Sequence, residues 1–131
     1  HTFSHRHPWT LLAPAARAQV RDGSAAIADA TGCAPRLYRP PHGRLRRCML
    51  DEAQRGGQQL VLWNRSAIDW GPAGRAEAIA RRLAAVRSGD IVLMHDGGRG
   101  NNRPDQLLRV LPSVLARLTA GGSAPEPQRT H

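Results

Sequence analysis

Two short apolar runs, QLVLW at residues 59–63 and DIVLMH at residues 90–95, most limit what this chain can fold into. Turn-forming residues stand before each, Gly56-Gly57 before the first and Ser88-Gly89 before the second. Neither run alternates apolar with polar residues, so each reads as a strand buried on both faces. Between them, from Arg75 to Arg87, apolar residues recur at Ile79, Leu83 and Val86, the one-faced pattern of a helix. A strand, a helix and a second strand in that order require a parallel sheet covered by helices.

The flanking sequence extends the same alternation. An Ala-rich stretch from Pro14 to about Ala30 reads as a helix, with Val20 and Ile27 seven apart, Pro14 near its start and Gly32 past its end. Gly23 weakens its middle. RLYR at 36–39 is a short strand running into the turn PPHG, and Arg46 to Arg55 is a second helix. GPAG at 71–74 and GGRGNN at 97–102 are loops. A last helix from about Arg103 to Leu118 aligns Leu107, Leu111, Leu115 and Leu118, with Pro112 bending it. The order is helix, strand, helix, strand, helix, strand, helix. A complete α/β barrel takes about 200–250 residues, so the expected fold is α/β and part of such a barrel. One partial domain is expected over 1–119, followed by a disordered tail over 120–131, where GGSAPEPQRTH has nothing to bury.

Composition narrows the function classes. No apolar run approaches the roughly 20 residues of a membrane span, and no basic stretch leads into an apolar core as in a signal peptide. The formal net charge is +9, carried entirely by arginine. The arginines are scattered, the tightest knot being Arg44, Arg46 and Arg47. One Phe and one Tyr give no ladder for stacking bases, so nucleic acid is not the expected partner. The same charge would attract acidic cell-wall polymers. Cys33 and Cys48 are compatible with a disulfide or with two free buried thiols.

Four polar clusters fall at the ends of these elements. In HTFSH, His1 and His5 stand at i and i+4, which on a helical turn suits two ligands of one divalent cation. In RLYRPPHG, Arg39 sits at a strand's C-terminal end and can hold a carboxylate by a bidentate contact. In LWNRSAIDW, Asp69 beside Trp70 sets a carboxylate next to a flat ring of the kind that lines sugar grooves. In GDIVLMHDGG, His95 ends an apolar strand next to Asp96, a natural place for a general acid or base. In a parallel sheet all of these lie at the end where barrel active sites are built.

These residues resemble the motifs of the polysaccharide deacetylases, the NodB-homology domains of carbohydrate esterase family four. HTFSH resembles their second motif, RPPHG their third, Asp69-Trp70 their fourth, and Leu93-x-His95 their fifth, in the same order. The resemblance covers positions 1 to about 118 and implies a metal-dependent N- or O-deacetylase of an acetylated sugar polymer on a distorted (β/α) barrel. By that resemblance His1 and His5 bind a divalent metal, commonly zinc. Arg39 positions the catalytic base, and the backbone N–H of His42 helps bind the oxyanion. Asp69 pairs with His95 or with Arg39. Trp70 and Leu93 shape the pocket, and His95 protonates the leaving group. Peptidoglycan, chitin oligomers, exopolysaccharide and acetylated xylan are all substrates of the family, and an extracytoplasmic location is implied.

The family's first motif, a strand end with paired Asp that supplies the base and a third metal ligand, is not found in these 131 residues. The expectation is therefore an N-terminally truncated deacetylase, inactive and marginally stable as the 131-residue chain because unpaired strand edges are left apolar. The alternative is a degenerate, non-catalytic glycan-binding relative.

Overall fold

The computed structural model of the chain describes residues 1–98 and 100–120. They divide into two compact units, one over His1–Leu62 and one beginning at Trp63.

In the first unit the Ala-rich stretch forms α1, Ala13–Thr31. Gly32 ends it in the left-handed region at φ 71°, where its N–H reaches Ala28 O at 2.8 Å, a conformation that glycine adopts without Cβ strain. Next come β1 (Leu37–Tyr38), α2 (Arg47–Arg55) and β2 (Gln59–Leu60). β1 and β2 pair in parallel, Leu37 opposite Gln59 and Tyr38 opposite Leu60, with α2 as the crossover. The core is Ala16, Val20, Tyr38, Met49 and Ala53, with Leu11, Leu45 and Cys48 packed against it. Three residues of a turn, Pro8–Thr10, precede α1. Arg46 closes over it, donating to Pro8 O at 3.2 Å and to Leu11 O, its guanidinium 5.8 Å above the Trp9 ring.

In the second unit β3 (Arg65–Ser66) and β4 (Val92–Leu93) pair in parallel, Arg65 opposite Val92 and Ser66 opposite Leu93, across the helix α3 (Ala76–Leu83). Asn64 fixes the start of this ladder, donating to Asp90 Oδ1 at 2.7 Å and accepting from Ile91 N at 2.9 Å. α4, Pro104–Ala120, runs through Pro112 and packs on α3. Ala67, Ile79, Leu83, Val86 and Leu107 form the core, lined by Val92, Val110, Val114 and Leu118.

Several expectations are corrected. The run QLVLW is not buried: Leu60 and Leu62 are 37% and 45% exposed. Burial of a continuous apolar strand needs cover on both faces, and the β1–β2 ladder is two strands wide and two residues long. DIVLMH is likewise half-buried at Val92 and Leu93. β3 was hidden from a reading of apolar runs because Arg65 and Ser66 are polar. Ile27 is exposed, and the buried face of α1 is Ala16, Val20 and Gly23. On α4 the contact stripe is Leu107, Val110, Val114 and Leu118, with Leu115 exposed. Steps of four overshoot a helical turn by about 40° each, so an unbroken i, i+4 row drifts off the face. α3 stops at Leu83, short of Arg87. Cys33 and Cys48 are free thiols, Cys33 exposed, so neither a disulfide nor a fully buried pair is formed. Of the expected tail over 120–131, Ala120 ends α4 and residues 121–131 lie outside the described residues.

The core makes one measurable prediction. Tyr38 is fully buried and, among the described residues, its hydroxyl has no hydrogen-bond partner. Burial first, and then the neighbouring Cys48, push its phenol up to about 12. The unfolded chain loses that proton near pH 10 while the folded chain keeps it. Stability is therefore unaffected by this group below about pH 10 and falls as pH rises toward about 12. Tyr38 is the only tyrosine, so the ultraviolet absorbance of tyrosinate reports it directly. Tyr38→Phe is expected to remove this alkaline loss and to stabilise the fold at neutral pH by about 1 kcal/mol.

Candidate active site

HTFSH does not form the helical turn expected of it; residues 1–7 are irregular, with His5 at φ 55°. The two imidazoles still meet, ring centroids 4.8 Å apart and planes inclined at 68°. Contact with α1, instead of helical periodicity, brings them together. Phe3 N donates to Gln19 O at 3.0 Å, and Ser4 N and Oγ donate to Gln19 Oε1 at 2.9 and 2.8 Å. His1 Nδ1 lies 2.5 Å from the backbone O of Arg39. A carbonyl cannot donate, so Nδ1 carries the hydrogen and Nε2 presents its lone pair. A ring nitrogen tied to a backbone carbonyl is the usual support of a metal-ligating histidine.

Arg39 directly follows β1, as expected, and its backbone carbonyl is what fixes His1. After it, Pro41–Gly43 form a tight turn with His42 at φ 56° and ψ 14° and Gly43 at φ 64°. This places the His42 ring 4.8 Å from that of His5 and 5.5 Å from that of His7, against which it stacks. Burial first, then the neighbouring His5, His7 and Arg44, lower the His42 pKa and favour its neutral form. His7 was missed by the sequence reading, although the spacing H-x-H at 5 and 7 was visible. Its Nδ1 accepts from Trp9 N at 3.4 Å.

A tetrahedral metal site needs more than two protein ligands. Among the described residues, no group of three or more His, Cys, Asp or Glu side chains is arranged to hold a metal ion. With Nδ1 turned to the Arg39 carbonyl, His1 beside His5 fits two ligand positions of such a site.

In the second unit the polar groups converge tightly. Asp69 is 0% exposed. Its Oδ1 lies 2.9 Å from His95 Nδ1, and its Oδ2 accepts from His95 N at 2.6 Å. Both carboxylate oxygens thus serve His95, one of the two partners expected for Asp69. Asp96, next to His95 in sequence, is not the partner; the carboxylate comes from 26 positions away. With Nδ1–H held by an acceptor, Nε2 is the atom left to exchange a proton. The His95 side chain is 30% exposed, and the Trp70 ring stands edge-on to it at 5.5 Å. Leu93 lies in β4, its carbonyl accepting from Ala67 N at 3.0 Å.

The backbone around Asp69 is held from several sides. Arg103 N donates to Asp69 O at 2.7 Å, Gly71 N donates to Asn101 O at 2.8 Å, and Trp70 bridges to Asn102. Arg82 Nη1 donates to the carbonyls of Ala67 and Ala73, each at 3.0 Å. Ile68, just before Asp69, is forced to φ 48°, a strained position for a β-branched residue and one that persists only where its surroundings over-determine it. Gly74 is a close approach: a Cβ there would lie 2.8 Å from Trp70 N and 3.0 Å from Asp69 C. Gly74→Ala is expected to displace the Asp69–Trp70 backbone and to destabilise the chain by about 1–3 kcal/mol, read from the midpoint of urea denaturation.

The family model described as polysaccharide deacetylase matches residues 1–61. The peptidoglycan-N-acetylglucosamine deacetylase of Bacillus cereus is 34% identical over 90 residues, covering 67% of this chain and 41% of that protein. The chitooligosaccharide deacetylase of a Bradyrhizobium species is 30% identical over 131 residues, covering 93% of this chain and 60% of that protein. The chain belongs to the polysaccharide deacetylase family. A solved structure of a family 4 carbohydrate esterase from Streptomyces lividans, in complex with acetate, superposes with a TM-score of 0.79 at 26% identity, over 93% of this chain and 60% of that one. The fold class is accordingly α/β, part of the distorted (β/α) barrel of polysaccharide deacetylases. This deacetylase-family chain spans less than two thirds of the length of each of these three proteins.

Proposed function

We propose that this chain carries catalytic residues of a metal-dependent hydrolase that removes N- or O-linked acetyl groups from an acetylated sugar polymer, such as peptidoglycan or a chitin-like glycan, outside the cytoplasm. The observation that carries the reading is the Asp69–His95 pair: a fully buried carboxylate spending both oxygens on one partly exposed histidine.

An amide is a weak electrophile with a poor leaving group. His95 addresses the second difficulty. Asp69 holds its Nδ1–H, orients the ring and stabilises the imidazolium, so that Nε2 can pass a proton to the departing nitrogen or oxygen as the bond to the acetyl carbon breaks. Trp70, edge-on to His95, and Leu93 would wall the space in which that group sits. His1 and His5 would hold the divalent cation, zinc first among candidates. Bound there, it would polarise the acetyl carbonyl and acidify a water. The backbone N–H of His42 would share the developing oxyanion charge, and Arg39 would orient an acidic base by a bidentate contact. The general base itself is not among the residues assigned here.

The test is acetate release by the intact protein from acetylated chitooligosaccharides, peptidoglycan and acetylated xylan, before and after chelation. Release abolished by chelator and restored by zinc is the expected result. Retention of glycan with no acetate released from any of the three, metal present, would overturn the reading in favour of a non-catalytic glycan-binding relative.

A further inference from the structure

In sequence, Gly23 reads only as a weak point of α1, since glycine lowers helix stability relative to alanine. In the structure it is a notch. Gly23 is buried, and a Cβ built on it would lie 2.8 Å from the backbone O of His1, 2.9 Å from Phe3 N and 3.0 Å from Thr2 C. All three are backbone atoms, so no side-chain rotation relieves the overlap. One turn earlier, Gln19 grips the same segment twice: its backbone O accepts from Phe3 N, and its Oε1 accepts from both Ser4 N and Ser4 Oγ. The segment from His1 to Ser4 is therefore seated on Gly23 and tethered to Gln19. His5 follows immediately, at its positive φ. A groove lined by Thr2, Phe3, Ala26 and Ile27 lies beside the seat. It gives the segment room to slide if the notch is filled, so the histidine segment yields before the helix does.

We propose that Gly23 and Gln19 are positioning residues that set the spacing and orientation of the His1 and His5 imidazoles for a divalent cation. The inference rests on the reading of His1 and His5 as ligands. Neither Gly23 nor Gln19 touches the ion; they act through the backbone that carries the two rings. The residue that weakens the helix is retained because any side chain there would push the ligand segment away.

The test compares wild type, Gly23→Ala, Gln19→Ala and His1→Ala in the intact protein. Zinc affinity is measured by competition with a chromophoric chelator, ligand geometry by the visible absorption of bound cobalt(II), and stability by thermal unfolding without metal. Gly23→Ala is expected to weaken zinc binding by about 10–100-fold, as changes behind metal ligands do, and to alter the cobalt(II) spectrum. Its metal-free melting temperature is expected to change little, because the gain in helix propensity offsets the contacts that the displaced segment loses. A purely structural role predicts the reverse, a lower melting temperature and unchanged affinity. Gln19→Ala is expected to weaken zinc in the same direction by less, since it leaves the Phe3 bond and the notch intact. Unchanged affinity in Gly23→Ala while His1→Ala loses zinc overturns the inference alone. If Gly23→Ala fails to fold, Gln19→Ala decides by the same criterion. Unchanged affinity in His1→Ala overturns the ligand reading and, with it, this inference.

Discussion

Replacing His95 by glutamine lowers the rate constant for acetate release by about 10²–10⁴-fold, the range typical for loss of a positioned proton donor. The substitution keeps a polar side chain of similar reach but removes the Nε2 that can carry a proton at neutral pH. The effect belongs in kcat, with KM little changed, because the proton is needed only as the bond to the acetyl carbon breaks. Asp69→Asn tests the other half of the pair. The amide can accept from one of the two His95 donors and must present N–H to the other. If it faces Nδ1 with N–H, the imidazole is driven to the tautomer with its hydrogen on Nε2, and its basic nitrogen points away from substrate. A comparable fall in kcat follows. The double variant is expected to fall no further than the worse single one, since the two act as a unit. Rates of His95→Gln within threefold of wild type on a glycan that the protein deacetylates would remove His95 from the reaction.

The second large effect is on the metal. His1→Ala or His5→Ala removes one of two imidazoles and is expected to weaken zinc by more than the roughly 100-fold that bounds changes behind the ligands. Equilibrium dialysis against zinc measures it without reference to activity. Binding should also weaken in acid, because a ligating imidazole must be neutral and protons compete for the same lone pair. The contact from His1 Nδ1 to the carbonyl of Arg39 adds a geometric consequence. Any change that moves the end of β1 turns the His1 ring and is felt as metal affinity. Zinc affinity that is the same in wild type and in the double alanine variant would rule out these two histidines as ligands.

Much of this architecture was legible in the residue order. Helices α1, α2 and α4 lie within a few residues of where periodicity and Gly or Pro punctuation put them, because those signals are local. The parallel pairing of β1 with β2 followed from the strand–helix–strand order; the same order set QLVLW and DIVLMH as the next parallel unit, whereas β4 pairs with β3, a polar strand that the apolar runs did not reveal. Two of the expected groupings are close in space: His1 lies beside His5, and Asp69 beside His95.

What the residue order could not supply were the partners chosen across space. Asp96 stands beside His95 in the chain, yet Asp69, which only the family resemblance had paired with His95 or Arg39, is the carboxylate bonded to it, since pairing of β3 with β4 carries the two strand ends to the same level. His1 and His5 meet through the seat on α1, although their four-residue spacing suggested a helical turn. Gly23 and Gly74 looked like interruptions, and their meaning lies in what the absent Cβ would strike. Periodicity reports which face of an element prefers to leave water, a property of each segment alone. Which atom then fills a hydrogen bond, or what lies against a bare Cα, depends on segments distant in sequence, and packing decides it.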